Sequence, residues 1–309
     1  MSTVAVLASD LEAYPVTIEH ALGVTTITSE PKRIVTFGWN AEDVVLALGK
    51  YPVAMPRYSF FPSGIFPWNE EKLQGRIPVL LSGRTVDFEQ IASLRPDIIL
   101  ATSSDIDSVT WKRLSTIAPT VAYRTGPFAS NWREQTQLIG LALGETTAAT
   151  GWIEKTNRYL KNLSEHYSQL RGKTFTFGAY LSGSSGIVVY LPADPRVSIL
   201  MELGLTPSIG VAALAATNPA STSSTLSFEQ LEMVDADILI MWFGNGARVE
   251  LEKKPLFQAL GVVKRGGYVA LDDPISVWST SALSVLSIPY GFSRFVPRLA
   301  EAAAKAEER

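Results

Sequence analysis

The chain contains the same short pattern twice. The stretch 86–100 reads VDFEQIASLRPDIIL, and the stretch 226–240, which begins 140 residues later, reads LSFEQLEMVDADILI. Each copy predicts a short amphipathic helix, a turn and a strand that is buried on both faces. We expect Asp97 and Asp237, just before the strands, to hold the turns by binding nearby backbone amides. Chance similarity between helix-turn-strand units is the alternative, but the repeat favours two duplicated α/β lobes.

The length of the chain also favours two domains. A chain of 309 residues exceeds what one hydrophobic core comfortably serves. A helix over residues 145–170 would be roughly 37 Å long, which is enough to reach from one lobe to the other. The predicted fold is therefore two Rossmann-like α/β lobes joined by a single long helix. The predicted division is an N-terminal tail (1–15), an N-terminal lobe (16–144), the connecting helix (145–170) and a C-terminal lobe (171–309).

Composition removes several classes of function. A net charge of −3 and a pI near 5.6 argue against nucleic-acid binding. The absence of cysteine excludes a cysteine nucleophile and a disulfide scaffold, and with only two histidines we expect no metal site. No apolar run approaches the roughly 20 residues of a membrane span. The opening MSTVAVLASD lacks a basic segment, so we expect no intact signal peptide in it.

The sequence also lacks the usual catalytic motifs. It contains no GxSxG elbow and no phosphate loop, and the GxG at 244–246 does not extend to GxGxxG. Asp272 and Asp273 are the best carboxylate pair, but their position before Pro274 favours a turn. We therefore expect no catalytic residues and no cofactor.

Large rings and guanidinium groups follow several predicted strands instead. Ligands of open α/β sheets bind beyond the carboxyl ends of the strands. A proline-rich stretch, 51–81, is predicted to be mostly irregular, and its rings either cover the core or line a site. The loop 272–280 carries a further tryptophan. The predicted ligand-binding residues are Trp39, Tyr58, Trp68, Tyr180, Arg84, Arg196, Trp242, Arg248 and Trp278.

Several segments carry a resemblance to a known family. They are residues 33–35 (RIV), 39–49 (WNAEDVVLALG), 86–100, 114–121 (LSTIAPTV), 199–205 (ILMELGL) and 255–271 (PLFQALGVVKRGGYVAL). In this order and spacing the chain resembles the substrate-binding proteins of bacterial ABC importers for ferric siderophores, a family that also contains cobalamin and haem binders. The resemblance implies a ligand cleft between the lobes and no enzymatic activity.

The resemblance also assigns residues to roles. It implies that an acid on each lobe docks on the permease, and these acids are Asp43, six residues before Gly49, and Glu202. Arg84 resembles the arginine that hydroxamate binders direct at chelating oxygens, and Trp278 their cleft tryptophan. The chain departs from that pattern at Ser221, where some relatives carry tryptophan, and at Thr280, where they carry tyrosine.

The predicted function is capture of a ferric siderophore, hydroxamate or mixed in type, outside the cytoplasm and delivery to an ABC permease for iron uptake. The chelator is expected to fill the coordination sphere of the iron, so we expect the protein to supply no metal ligand. A monomer is expected, located in the periplasm or held at the cell membrane as a lipoprotein. The alternatives are a haem or cobalamin binder and a two-lobe enzyme, such as a glycosyltransferase, that uses Asp272 or Asp273.

Overall fold

The computed structural model describes residues 14–82, 85–244 and 246–307. The strands are β1 (Val16–His20), β2 (Gly23–Ile27), β3 (Ile34–Gly38), β4 (Pro52–Pro56), β5 (Val79–Leu81), β6 (Ile98–Ser103), β7 (Thr120–Ala122), β8 (Thr174–Tyr180), β9 (Gly186–Tyr190), β10 (Thr206–Pro207), β11 (Ser223–Ser227), β12 (Ile238–Phe243) and β13 (Tyr268–Leu271).

The helices alternate with these strands over most of the chain. They are α1 (Ala41–Ala47), α2 (Pro67–Leu73), α3 (Phe88–Ser93), α4 (Ser108–Ser115), α5 (Trp132–Ala142), α6 (Thr146–His166), α7 (Pro195–Glu202), α8 (Ile209–Thr217), α9 (Ala247–Glu252), α10 (Pro255–Ala259), α11 (Gly261–Lys264), α12 (Pro274–Ser281) and α13 (Ser287–Glu307). Short 3₁₀ helices cover Ser168–Leu170 and Phe228–Val234. None of the helices in the described ranges is both long enough and apolar enough to cross a membrane.

The chain forms two compact units. Unit 1 comprises the chain up to Tyr58 together with Asn69–Ile153, and unit 2 comprises Ser59–Trp68 together with the chain from Glu154 onward. The chain passes from unit 1 to unit 2 inside α6, which is one continuous helix of 21 residues. The predicted boundaries at 144 and 170 place Ser59–Trp68 in the N-terminal lobe, whereas in the structure this segment belongs to unit 2.

Unit 1 is built on a parallel sheet with the strand order β5-β4-β3-β6-β7. Ile34 of β3 and Ile98 of β6 join one apolar cluster, which includes Leu138 of α5. Their neighbours Val35 and Ile99 join a second cluster. Because successive side chains of a strand point to opposite faces, the two clusters lie on opposite sides of the sheet. This is the burial on both faces that the repeated pattern predicts.

The proline-rich stretch 51–81 is more regular than the sequence predicts. It contains β4, α2 and β5, which together cover about half of the stretch, whereas residues 57–66 between β4 and α2 are irregular. Pro52 and Pro56 lie at the two ends of β4, and Pro67 is the first residue of α2. At a strand end or in the first turn of a helix the missing amide hydrogen costs little, which is why these prolines are tolerated.

The two copies of the repeat occupy equivalent places in the two units. Asp97 precedes β6 and accepts hydrogen bonds of 2.8 Å from the backbone amides of both Lys32 and Arg33, at the entrance to β3. Asp237 precedes β12 and accepts bonds of 2.8 Å from the amide and the hydroxyl of Thr174, the first residue of β8. Each carboxylate therefore ties its strand to the start of the neighbouring parallel strand, 63 to 65 residues away, and not to its own turn as predicted.

Unit 2 is built on a mixed sheet with the order β11-β9-β8-β12-β13. Strands β8, β12 and β13 are parallel, whereas β9 and β11 are antiparallel to their neighbours, and β10 adds to β8. Gly178 lies in the middle of β8, where a Cβ atom would be 2.7 Å from the backbone oxygen of Val188. The Ser/Thr-rich segment just before the second repeat forms β11 because its backbone pairs with β9.

Candidate ligand-binding site

Unit 2 contains a cluster of aromatic rings that we call the ring platform. Phe66 stacks on Trp68 with 4.5 Å between ring centroids, and Phe66 is also 5.8 Å from Trp278. Phe60 lies 5.5 Å from Trp278, and Tyr290 lies 5.5 Å from Trp68. The ring platform is thus formed by the segment Ser59–Trp68 together with α12 and α13.

The ring platform has a buried base and an accessible rim. Phe66 and Trp68 are buried at 0% and 6% exposure, whereas Phe60 is 51% exposed. Trp278 is half-buried. An accessible group of large rings supplies apolar contact area with hydrogen-bonding edges, which suits a bulky ligand.

Trp278 is held by a helix and not by the predicted loop 272–280. Asp273 caps α12 by accepting a 2.9 Å bond from the amide of Ser276, and Pro274 occupies the first turn. The Asp-Pro pair was read from sequence as a turn signal, but it starts a helix, as an N-cap residue followed by proline commonly does. The prediction of a loop around Trp278 is therefore wrong.

Tyr180 is a core residue and not a cleft residue. Its ring is 1% exposed, and its hydroxyl donates to Glu250. Burial and this bond raise the pKa of Tyr180 to about 12. Glu250 also accepts a 2.7 Å bond from the hydroxyl of Ser182, so the carboxylate secures the turn after β8. The predicted contact of Tyr180 with ligand does not agree with this burial.

Trp242 and Arg196, which are distant in sequence, both contact Tyr190. The indole nitrogen of Trp242 donates to the Tyr190 hydroxyl at 2.8 Å, and the Arg196 guanidinium lies 3.5 Å from the Tyr190 ring centroid. Arg196 also forms an ion pair of 2.7 Å with Asp194, whose side chain is 5% exposed. Burial opposes the charge of Arg196, but the bond to Asp194 outweighs it and raises the pKa of the guanidinium. Sequence reasoning missed Tyr190 and Asp194.

Arg248 and the two candidate catalytic carboxylates have structural partners. Arg248 binds Glu252 at 2.7 Å and Asp272 at 2.8 Å, which links α9 to the end of β13. These two hydrogen bonds raise the pKa of Arg248. Asp273 serves as the cap of α12. The carboxylates on which the enzyme alternative depended are thus engaged in holding the fold.

Unit 1 presents a smaller pair of rings at the carboxyl ends of its strands. Trp39 directly follows β3, and its ring lies 4.4 Å from that of Phe128. The backbone amide of Trp39 donates to Ser103 at 2.7 Å, and that of Phe128 donates to Ser104 at 3.2 Å, so both rings are tied to the end of β6. Both side chains are half-buried. Phe128 carried no sequence signal beyond being an aromatic residue in a loop.

A buried polar network lies behind Trp39 in unit 1. The Tyr58 hydroxyl donates to Glu42 at 2.7 Å and accepts from the amide of Asn40 at 3.1 Å. Burial first, and the charge of Asp43 second, raise the pKa of Glu42 to about 8. Tyr58 is 5% exposed, so this network holds the turn after Trp39 and does not offer Tyr58 to a ligand.

The two predicted docking acids differ in accessibility. Asp43 is 0% exposed and accepts a 2.6 Å bond from the Asn69 side chain. A permease arginine needs an accessible carboxylate, so this burial corrects the prediction for Asp43. Its neighbour Glu42 is equally buried. Glu202, the last residue of α7, is exposed, and its docking role stays a prediction.

Arg84 lies outside the described residues, so its predicted role stays a prediction. Of the other predicted residues, Trp68 and Trp278 belong to the ring platform of unit 2, and Trp39 is in the ring pair of unit 1. Phe60, which the sequence analysis did not assign to the site, is the most accessible member of the platform. Its position in a ring-rich stretch was the available signal.

Both α/β units carry partly accessible aromatic rings, which in unit 2 form the ring platform and in unit 1 are Trp39 and Phe128. The chain belongs to the periplasmic binding protein family, whose pattern matches residues 35–274. It is a non-enzymatic, extracytoplasmic substrate-binding component of a transport system, which excludes the glycosyltransferase alternative. The predicted architecture of two α/β lobes joined by one long helix is confirmed.

Several known proteins are similar over most of their length. The crystal structure of PiaA from Streptococcus pneumoniae TIGR4 in complex with ferrichrome is 28% identical, has a TM-score of 0.84 and covers 94% of this chain and 99% of its own. YhfQ of Bacillus subtilis (strain 168), whose name describes a substrate-binding lipoprotein of an ABC transporter, is 24% identical over 86% of this chain and 83% of YhfQ. The Fe(3+)-citrate-binding protein YfmC of the same organism is 22% identical over 79% of this chain and 74% of YfmC.

Proposed function

We propose that the protein captures a ferric siderophore of the hydroxamate or mixed type and delivers it to an ABC permease for iron uptake. The observation that carries the proposal is the ring platform, with Phe60 and Trp278 on its accessible rim. A hydroxamate siderophore surrounds iron with its own oxygen atoms and presents an apolar outer surface. Accessible rings can hold such a surface while the chelator keeps the metal. The similarity to PiaA, solved with ferrichrome, supports this choice.

Ligand titration tests the proposal. Purified protein is titrated with ferrichrome, ferrioxamine, ferric citrate, a ferric catecholate, haem and cobalamin while tryptophan fluorescence is followed. We expect the tightest binding for a ferric hydroxamate or a mixed chelate. Ferric citrate is included because of the similarity to YfmC. Tightest binding of haem or cobalamin would refute the proposed ligand class.

Two tryptophan variants locate the binding surface. Trp278→Ala removes a ring of the platform, whereas Trp111→Ala removes an equally half-buried ring in α4, where Trp111 donates to the oxygen of Thr120 at 2.9 Å. Because one stacked ring contributes about 1 kcal/mol beyond its buried area, we expect Trp278→Ala to weaken siderophore binding by roughly tenfold or more. Trp111→Ala should bind as the wild type does. If the two variants bind the siderophore with equal affinity, the binding surface is not the ring platform.

Docking on the permease is proposed to involve Glu202. We expect Glu202→Ala to reduce uptake in cells while siderophore affinity stays unchanged, because a rim charge sets orientation and association rate more than it contributes to ligand binding. Glu232→Ala, which removes another exposed acid of unit 2, is the control. A loss of siderophore affinity in Glu202→Ala would show that Glu202 belongs to the binding site instead.

We also propose that the protein acts as a monomer. The similarity to YhfQ supports attachment to the outer face of the cell membrane as a lipoprotein over free diffusion in a periplasm. Light scattering of the purified protein tests the first point, and metabolic labelling of the native gene product with a fatty acid tests the second.

A further inference from the structure

Unit 2 contains a cavity lined by α12 and α13, and it shares one residue, Tyr290, with the ring platform. Its volume is about 280 Å³, which suits a small molecule. The lining side chains that matter for binding are polar, and they come from the two helices and the residue that caps α12. They are Asp273, Ser276, Ser279, Tyr290, Arg294 and Arg298.

The cavity carries a surplus of positive charge. Arg294 and Arg298 are four residues apart on α13 and therefore lie on the same side of the helix. Arg298 donates to the backbone oxygen of Ala270, at the edge of β13, which anchors its guanidinium beside the cavity. Within residues 14–82, 85–244 and 246–307 neither arginine forms an ion pair. Asp273 is the one carboxylate in the lining, and one of its oxygens already caps α12.

A buried hydroxyl also faces this space. Ser279 is 1% exposed as a residue, and its side chain lines the cavity. Gly291 allows this arrangement, because a Cβ atom there would lie 2.2 Å from the Ser279 hydroxyl. A hydroxyl that lines a cavity can donate a hydrogen bond to an acceptor atom of a bound molecule.

We propose that this cavity is a binding site for a small oxyanion, a carboxylate or a phosphate. The planar guanidinium of Arg298 and the accessible guanidinium of Arg294 match the paired oxygens of such a group. The Ser279 hydroxyl donates to an oxygen on the buried side. Two guanidinium groups against one carboxylate leave the empty cavity with a charge of about +1, which an anion neutralises. The site borders the proposed siderophore surface, with which it shares Tyr290, but its two arginines are not part of the ring platform.

Calorimetric titration with inorganic phosphate and with malonate at constant ionic strength tests the proposal. Arg294→Gln removes an exposed guanidinium that makes no hydrogen bond within the described residues, so the fold should survive. The control is Arg158→Gln on α6, whose side chain is 68% exposed and lies in the same unit. We expect Arg294→Gln to weaken anion binding by roughly tenfold or more, and Arg158→Gln to leave it unchanged.

The outcomes separate the two ligand classes. A heat of binding with phosphate but not with malonate assigns a phosphate site. A heat of binding with malonate but not with phosphate assigns a carboxylate site. No heat with either anion at millimolar concentration overturns the proposal, and so does equal affinity in Arg294→Gln and the wild type. Ser279→Ala should also weaken binding. Siderophore affinity should be the same in Arg294→Gln and the wild type. A failure of the anion-site proposal can therefore be distinguished from a failure of the proposed transport function.

Discussion

Replacing Glu42 with glutamine should change how stability depends on pH. Glu42 is 0% exposed and accepts a 2.7 Å bond from Tyr58. Burial, followed by repulsion from Asp43, raises its pKa from 4.5 to about 8. A glutamine keeps an oxygen for the Tyr58 hydroxyl but cannot ionise, so Glu42→Gln isolates the cost of the charge.

The direction follows from proton linkage. Below pH 4.5 Glu42 is protonated in both the folded and the unfolded chain, and the folded state has its full stability. Between pH 4.5 and about 8 the unfolded chain has released this proton and the folded chain has not, so stability falls as the pH rises. At 1.36 kcal/mol for each pH unit, the loss over this window is roughly 5 kcal/mol. Such a loss is comparable with the whole stability of many domains.

Urea denaturation at pH values from 5 to 9, followed by tryptophan fluorescence, measures this loss. The wild type should lose free energy of unfolding as the pH rises, while Glu42→Gln should lose much less and become the more stable protein at pH 9. Glu89→Gln removes an exposed carboxyl of α3 and should follow the wild type. If Glu42→Gln shows the same pH dependence as the wild type, then the folded protein does not carry a protonated Glu42.

The remaining predictions concern stability and use the same urea assay at pH 7. Arg196→Ala leaves the buried carboxylate of Asp194 without its ion pair and should cost roughly 3 kcal/mol. Arg248→Ala breaks ion pairs that are 33–43% exposed and should cost about 1 kcal/mol or less. Asp237→Ala removes two bonds to the start of β8 and should cost roughly 2 kcal/mol. Gly151→Ala, in the middle of α6 with no atom within 4 Å of the new Cβ, should add about 0.5–1 kcal/mol.

The sequence predicts the architecture because the signals for it are local or periodic. The two repeated stretches carry an apolar pattern that depends only on which residues lie three, four or two positions apart. The structure places both copies before parallel strands, β6 and β12, at equivalent positions in the two sheets. Asp97 and Asp237 were recognised as backbone ligands from their positions. Their partners were not, because strand pairing across some 64 residues leaves no mark in the local sequence.

The prolines misled the prediction in two places for one reason. A proline prevents regular structure only where an amide hydrogen is needed in the interior of an element. Pro67 and Pro274 each begin a helix, and Pro52 and Pro56 end a strand. In 51–81 these prolines therefore mark the ends of short elements, on either side of the irregular segment 57–66. For the same reason, the helix that begins at Pro274 and carries Trp278 was predicted as a loop.

Burial determines which of the predicted site residues a ligand or a partner can reach, and burial is a property of the tertiary structure. Asp43 and Glu202 are both acids on short helices, yet one is sealed against Asn69 and the other is exposed. Tyr180 and Trp278 are both rings near strand ends, yet only Trp278 reaches an accessible surface. Phe60 is half-exposed and contacts Trp278, and an exposed apolar surface of this kind is the observation on which the proposed ligand surface rests.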